Sequence, residues 1–517
     1  VTRRSAWQPV TVSLRRLFPS ASFVGCGDIR VNAVTDRSGS CTSGGLFAAV
    51  RGTRQDGLRY VEESVAAGAS SLLVPHPVSS APVPQCVVHD VRSAYSRLCQ
   101  AVAGDPSSRL SLAGVTGTNG KTTIAWMLRA IWQAAGHSSG LLGTIEYDDG
   151  GHTQQAELTT PDAGTLASWL AAMVARGTTH AVLELSSHAL DQDRAVGVSL
   201  DAVLLSNLTQ DHFDYHGDFS AYAAAKSKIL KLCSPSGTIV YNADDPRIVS
   251  MVEEAGQAML QGRVCLSFGI ECDADVVGRV VDETVSETRF VVESGGRTGR
   301  RGEKLELTTG LVGHHNILNC LAATTLAREQ GISDDAIAAG LGSLAWVPGR
   351  LEAVECGLPF DVFVDYAHTE DALRRCLGAL RRVMSGRLIC VFGAGGDRDK
   401  LKRPLLGAAA AEAADVCIVT SDNPRGEDPQ RILTAIAEGV CGAGGEPVLV
   451  EDRHEAIALA IDIARAGDVV LVAGKGHESY QEIGGRRLRF DDREVVRATL
   501  KRVTRGERTE RSGGFGS

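Results

Sequence analysis

Apolar residues in this chain gather into short runs divided by polar, glycine-containing turns. The runs at 110–115, 181–185, 201–205 and 238–241 are apolar almost throughout, as strands are when both faces of a parallel sheet are covered. Helix-length segments separate the first of them, which predicts βαβ units and a doubly wound sheet. From about 255 to 312 the pattern changes. Short alternating stretches such as 289–292, set between glycine-rich turns, predict an antiparallel patch, and a helix follows through 316–323. After 347–350 the pattern resets. Apolar strands at 362–364, 388–392, 416–419 and 469–472 each run into a polar segment, and open α/β sheets bind ligands beyond the carboxyl ends of their strands. Near the start, strands at 45–50 and 69–74 with a polar turn at 51–57 predict a smaller unit. The expected fold class is α/β in three domains: a small N-terminal α/β domain (1–108), a central P-loop ATPase-type doubly wound sheet (109–346) and a C-terminal Rossmann-like domain (347–500). Residues 501–517, charged and glycine-rich, read as a flexible tail.

The stretch Gly117, Thr118, Asn119, Gly120, Lys121, Thr122, Thr123 lies between one such strand and helix-spaced Ile124, Met127, Leu128 and Ile131. Strand, glycine-rich turn and helix are the context of a phosphate-binding loop. Backbone N–H groups and the helix dipole would converge on phosphate oxygens. Lys121 would reach the β- and γ-phosphates, and Thr122 would join the Mg²⁺ shell. The general pattern expects a glycine where this chain has Val115, so a glycine-rich turn without a nucleotide is the competing reading.

Composition narrows the partners. The 517 residues are long for one core, and three domains are natural. A formal charge of −9 and 5% aromatic residues argue against a phosphate-backbone or base-stacking surface, so no nucleic-acid partner is expected. The 13 cysteines are scattered and never spaced as CxxC, which predicts neither zinc nor a disulfide framework and suggests a reducing, cytoplasmic setting. No apolar run is long enough to span a bilayer, so no membrane partner is expected.

Further chemistry gathers at strand ends. Glu184, before Ser186-Ser187-His188, could hold Mg²⁺ or simply bond to neighbouring backbone. His212, with Asp211 as its orienting partner, is either a second metal ligand or part of a polar turn. Lys226, in an alanine-rich helix, reads as a solvated lysine indistinguishable from Lys228. In the last domain Arg398 and Arg425 offer guanidinium forks, and Asp422 and Glu478 offer carboxylates. That mixture suits a zwitterionic, amino-acid-like ligand, with a surface salt-bridge lattice as the alternative. The Ser-Ser-His run suggests a hydrolase, but its serines are not set in a GxSxG elbow.

Taken together, TGTNGKTT, ELSSH, NLTQDHFDYHG with AAAK, NADD, GHHNILN, PGRLE, DYAH, GGDRDK, DNPR and GKGHE occur in the order seen in the Mur ligases. The chain resembles that family from about residue 35 to 495, and in DNPR it resembles the members that add diaminopimelate. The missing first loop glycine is normal for the family. The resemblance implies an ATP-dependent ligase of the cytoplasmic stage of peptidoglycan synthesis, expected to act as a monomer. ATP would phosphorylate the D-glutamate carboxylate of UDP-N-acetylmuramoyl-L-alanyl-D-glutamate. The amine of diaminopimelate would then displace phosphate from the acyl phosphate.

By motif, the resemblance assigns Gly117 to Thr123, Asn316 and Arg350 to ATP, with Asp365 on the hinge side. It assigns Lys121, Glu184, His212 and Lys226 to catalysis, and Thr122, Glu184, His212 and a CO₂-derived carbamate on Lys226 to Mg²⁺. Thr159, Thr160, Ser186, Gln192 and Arg194 would meet the UDP-muramoyl dipeptide, and Ser38, Thr53, Arg54 and Gln55 its uridine end. Members often have His-Gln-Ala where this chain has Thr-Arg-Gln. Arg398, Asp422, Asn423, Pro424, Arg425, Gly474 and Glu478 would read diaminopimelate. DYAH is often followed by Thr-Pro; here it is Thr369-Glu370, expected to be a harmless change at a helix start. The alternatives are a lysine-adding sibling, another ligase of the family, folylpolyglutamate synthase, or a non-catalytic partner protein that keeps the ATP fold.

Overall fold

The computed structural model describes residues 7–52, 55–295, 302–355 and 357–505. Its largest sheet has 11 strands, and the parallel middle of that sheet carries the nucleotide-type loop. The strands Ser139–Leu142, His180–Glu184, Ser111–Thr116, Leu200–Leu205, Cys233–Asn242 and Val264–Gly269 lie side by side in parallel register. Alternate residues of these runs enter different cores. Leu112, Ala181, Leu183, Val203, Leu205 and Ile239 face one; Ala113, Val115, Val182, Leu204 and Val240 face the other. That two-sided burial is why the runs read as continuously apolar rather than alternating.

The helices Lys121–Ala134 and His314–Glu329 cover the second core, and Ala163–Arg176 covers the first. The predicted antiparallel patch forms from Val276–Glu283, Thr288–Ser294 and Lys304–Thr309 at one sheet edge. A five-stranded sheet from Ser22–Val24, Gln85–Val87, Ser71–Val74, Leu46–Ala48 and Val34–Thr35 precedes this domain.

The last domain is a six-stranded sheet in the order Glu352–Ala353, Asp361–Asp365, Val469–Ala473, Leu388–Phe392, Val416–Val419, Pro447–Leu449, parallel apart from its first strand. It too has a core on each face, with Leu388, Cys390 and Phe392 on one and Ile389 and Val391 on the other. The fold class is therefore the three-domain α/β arrangement expected from the pattern. The tail expectation needs one correction. Lys501 to Thr504 end the helix Asp492–Thr504, which buries Val496, Leu500 and Val503. Helical spacing of those apolar residues overrides the local charge. The remaining tail, 506–517, lies outside the described residues, as do Thr53 and Arg54.

Behind the strand-end loops, the helices Lys402–Ala411 and Pro429–Gly442 touch through facing glycines. A methyl on Gly439 would strike the Pro404 carbonyl, and one on Gly407 would strike the Ile436 carbonyl. Gly439→Ala is therefore expected to destabilise this domain by about 1–3 kcal/mol, although alanine is intrinsically the better helix former. A urea melt followed by far-UV circular dichroism would show a lowered midpoint; an unchanged or raised midpoint would refute the close-packing argument.

Every cysteine among the described residues is free. Among those residues, too, no helix is long and apolar enough to cross a membrane.

Candidate active site

The loop after Ser111–Thr116 is wired to the neighbouring strand end rather than left open. Thr118 N donates to Asn207 O (2.8 Å), and Asn119 N donates to Asn207 Oδ1 (2.9 Å). Ser206 Oγ and Asn207 Nδ2 both donate to Asn119 O. Gly117 has φ +151°, and a Cβ there would collide with the Ser206 hydroxyl, so this approach requires glycine. Gly120, at φ +88°, precedes the helix Lys121–Ala134, and Lys121, Thr122 and Thr123 of its first turn line the cleft. Lys121 Nζ folds onto the carbonyls of Gly117 and Thr118, each at 2.9 Å. Burial lowers its pKa, against the pull of Glu184 and Asp211.

Glu184 ends its strand 1% exposed. Its Oε2 accepts from the Thr122 and Thr144 hydroxyls, both at 2.9 Å, and its Oε1 accepts from Thr144 N. This carboxylate and the Thr122 hydroxyl are hard oxygen donors, the kind that Mg²⁺ prefers. Among the described residues no group of three or more His, Cys, Asp or Glu side chains is placed to hold a metal ion. His212 lines the same cleft, its ring 3.3 Å from Asp211 and edge-on to His188. Burial holds the His212 pKa down to about 4, so the imidazole is neutral and free to offer a lone pair near pH 7.

Lys226 departs from the solvated-lysine reading. Only 2% of it is exposed. Its Nζ donates to Gly117 O (2.7 Å) and lies 4.8 Å over the Tyr222 ring. Burial, with the neighbouring Lys121 charge, pushes its pKa well below that of an ordinary lysine. The helix Phe219–Ser227 keeps Ala221 and Ala224 exposed but turns Tyr222 and Lys226 onto the loop.

Thr159, Thr160, Ser186, Gln192 and Arg194 form one connected group beside Glu184. Thr144 Oγ1 bonds Thr159 Oγ1 (3.2 Å), and Thr160 Oγ1 donates to Glu184 O (2.7 Å). Ser186 N donates to Thr160 Oγ1 (3.0 Å). Arg194 binds Thr160 O and Gln192 Oε1. In the N-terminal domain, Ser38 donates to Glu63 and Gln55 accepts from Tyr60, so neither joins that group.

The C-terminal domain closes one wall of the nucleotide cleft. Arg350 stacks 4.7 Å over Tyr366 and donates to the Thr122 hydroxyl (3.2 Å). Asn316 bonds Val312 O and Asn319, and Asn319 in turn packs against Gly120. Asp365 is committed to the hinge turn, accepting from Leu351 N and Ala367 N, each at 2.6 Å. Thr369 caps the helix Glu370–Val383, with Glu370 in its favourable first turn. Sequence reading missed Asp371, the next residue, which accepts from Asn119 Nδ2 (2.9 Å) and Thr209 Oγ1 (3.2 Å). It also missed Lys402, whose Nζ meets Asp211 at 3.1 Å. Both are ordinary helix-surface residues by pattern, with no local signal.

Deeper in the same domain, Arg425 is held in the left-handed region at φ +54° by a backbone bond to Glu482 O. Its Nη1 donates to Gly396 O (2.7 Å), and its Nε lies 3.4 Å from Glu482 Oε2. Asp422, Asn423 and Glu478 converge beside it around the buried Lys475, with Gly474 packed against Asp422. Asn423 O accepts from Gly396 N, and Pro424 O abuts Gly396. Arg398 is exposed at the rim of the same loops.

The glycine-rich loop with the Thr122–Glu184 oxygen pair and the cluster of Arg425, Asp422 and Glu478 thus lie in two domains that meet through Arg350, Asp371 and Lys402. The Mur ligase middle domain matches residues 115–327, and the Mur ligase glutamate ligase domain matches residues 349–476. The UDP-N-acetylmuramoyl-L-alanyl-D-glutamate–2,6-diaminopimelate ligase of Caldanaerobacter subterraneus is 38% identical over 92% of this chain and 96% of its own length. The relative of the same name from Gloeobacter violaceus is 41% identical over 93% of this chain and 96% of its own. A solved structure of a ligase with that name superposes with a TM-score of 0.68 at 31% identity, covering 96% of this chain and 100% of that one. The chain belongs to the Mur ligase family.

Proposed function

We propose that this protein joins an amino group of diaminopimelate to the D-glutamate carboxylate of UDP-N-acetylmuramoyl-L-alanyl-D-glutamate, using ATP and forming an acyl phosphate. The single observation that carries this reading is the pairing of a glycine-rich strand-to-helix loop with a second domain whose strand-end loops gather Arg425 and the carboxylates of Asp422 and Glu478.

A carboxylate is a poor electrophile until it carries a good leaving group. Transfer of the terminal phosphoryl group to it makes phosphate that leaving group. The amine then attacks the acyl carbon, and phosphate departs with the bonding pair. Lys121 and the loop amides would receive the charge that builds on the transferred group. Arg350, at the Thr122 hydroxyl, would add a second cation to the same region. Thr122, Glu184 and His212 would hold Mg²⁺, which when bound offsets the repulsion between two anions. Thr160, Ser186, Gln192 and Arg194 would orient the muramoyl dipeptide.

Lys226 fits a carbamate because burial and the Lys121 charge favour the unprotonated amine, the form that is nucleophilic toward CO₂. The nitrogen bonds carbon, one C=O electron pair moves to oxygen, and a proton leaves. The product is an anion beside Lys121. Arg425 would pair with the second carboxylate of diaminopimelate, which lysine lacks, while Asp422 and Glu478 would face its ammonium groups.

Phosphate release is expected only when ATP, Mg²⁺, the UDP-muramoyl dipeptide and diaminopimelate are all present; equal turnover with lysine would defeat the specificity assignment. Arg425→Ala should cut the kcat/KM preference for diaminopimelate over lysine by about 100-fold, because a lost charge pair in a desolvated pocket costs several kcal/mol. ATP binding should be unaffected, and its collapse would put Arg425 in the wrong site.

A further inference from the structure

The amino-acid pocket encloses a cation to which neither the motif reading nor the chemistry above gives a task. Lys475 follows the strand Val469–Ala473, and its side chain is 0% exposed. Its Nζ donates to Asn423 Oδ1 (3.0 Å), Glu478 Oε2 (3.2 Å) and Asp422 Oδ1 (3.4 Å). Lys475 and Asp422 stand 53 positions apart in the chain. Asn423 closes the ring by donating Nδ2 to Glu478 Oε2 (3.0 Å), while its Oδ1 also receives Glu482 N (3.0 Å). An ammonium has three protons, and here each has an acceptor.

Exposure gives the arrangement a direction. The Lys475 side chain is sealed, Asp422 is 8% exposed and Glu478 is 18% exposed, so the cation lies behind and the acids lie toward the opening. Without the cation, the two carboxylates would repel and lose the group that holds them together. With it, two negative charges and one positive charge leave the cluster with a net charge of −1, still attractive to an incoming ammonium.

We propose that Lys475 is a positioning residue of the amino-acid pocket: its buried ammonium draws Asp422, Asn423 and Glu478 into the arrangement that receives an ammonium group of diaminopimelate. The assignment rests on the pocket reading given under Proposed function.

Lys475→Met keeps the aliphatic stem and removes the charge; Lys475→Gln removes the charge but keeps a donor. Steady-state phosphate release by the full-length enzyme should show the KM for diaminopimelate raised about 10-fold or more in the Met variant and less in the Gln variant. The KM values for ATP and the UDP-muramoyl dipeptide should stay within about twofold, a split that general loosening of the fold would not produce. A thermal shift with a non-hydrolysable ATP analogue checks that the variants are folded. An unchanged diaminopimelate KM, an equal rise for all three substrates, or failure of both variants to fold would overturn the assignment and leave Lys475 as scaffold. Wild-type enzyme is the separate control. If it shows no diaminopimelate-dependent phosphate release, the pocket reading falls and the assignment with it; normal wild-type release with an unaltered variant KM overturns the lysine assignment alone.

Discussion

Lys226→Ala is expected to lower turnover by about 100-fold or more, the scale of losing one preorganised charge in a water-excluded site. The amine lies against Gly117 O at 2.7 Å in a fully enclosed setting, and both burial and Lys121 disfavour its protonation. A neutral amine can take up CO₂ at neutral pH, whereas an ordinary lysine is almost wholly protonated there. The resulting anion would sit where Lys121 compensates it. Short carboxylates such as formate or acetate should therefore restore part of the lost activity by occupying the vacated space. Lys226→Met, which fills that space, should be inactive and resistant to rescue. Labelling the wild-type protein with ¹³CO₂ should give a carbamate carbon signal by NMR that the alanine variant lacks. Wild-type turnover in the alanine variant would remove the carbamate role. Loss of activity without any chemical rescue would recast Lys226 as a packing residue of the loop.

Lys121→Ala should cost about 10²–10³-fold in kcat, for a different reason. Its Nζ donates to two loop carbonyls at 2.9 Å, which hold the side chain against the loop. Polyphosphate oxygens would compete for it as charged acceptors and so bind it more strongly than neutral carbonyls do. Lys121→Arg should not restore activity, because a planar fork cannot replace a compact point charge in so tight a turn. Phosphate release and the thermal shift with ATP separate the two stages. A large fall in turnover with a smaller fall in ATP affinity places the lysine's contribution in the phosphoryl-transfer transition state; a decrease of less than about tenfold in both would mean that another cation serves the phosphates.

Arg350 could supply such a charge only because the domains meet. It reaches Thr122 from the far side of the cleft, while Asp371 and Lys402 clasp Asn119 and Asp211 from the same side. The loop is thus partly held by the domain that carries Arg425, so opening of the cleft would release contacts to the loop itself.

Pattern and motif order carried much of this. The parallel strands were legible because burial on both faces leaves unbroken apolar runs, and the loop was legible because Gly117 and Gly120 adopt backbone angles that favour glycine. Candidate ligands followed from position, since polar residues just past buried strands must gather along one sheet edge. Local sequence was silent wherever a side chain's role depends on a distant neighbour. Lys226 and Lys228 share a similar local setting, yet one is buried against Gly117 while the other bonds Asp193 near the surface. Asp371 and Asn119 are 252 positions apart, and nothing near either residue announces the other. Lys475 lies within a recognised motif, but its task depends on two acids and an amide brought in from neighbouring loops. The sequence by itself determined the elements and the side-chain chemistry at their ends, because periodicity and backbone restriction act over a few residues. Only the tertiary structure decided which charges are buried and which partners they meet, because desolvation and close contact depend on everything packed around them.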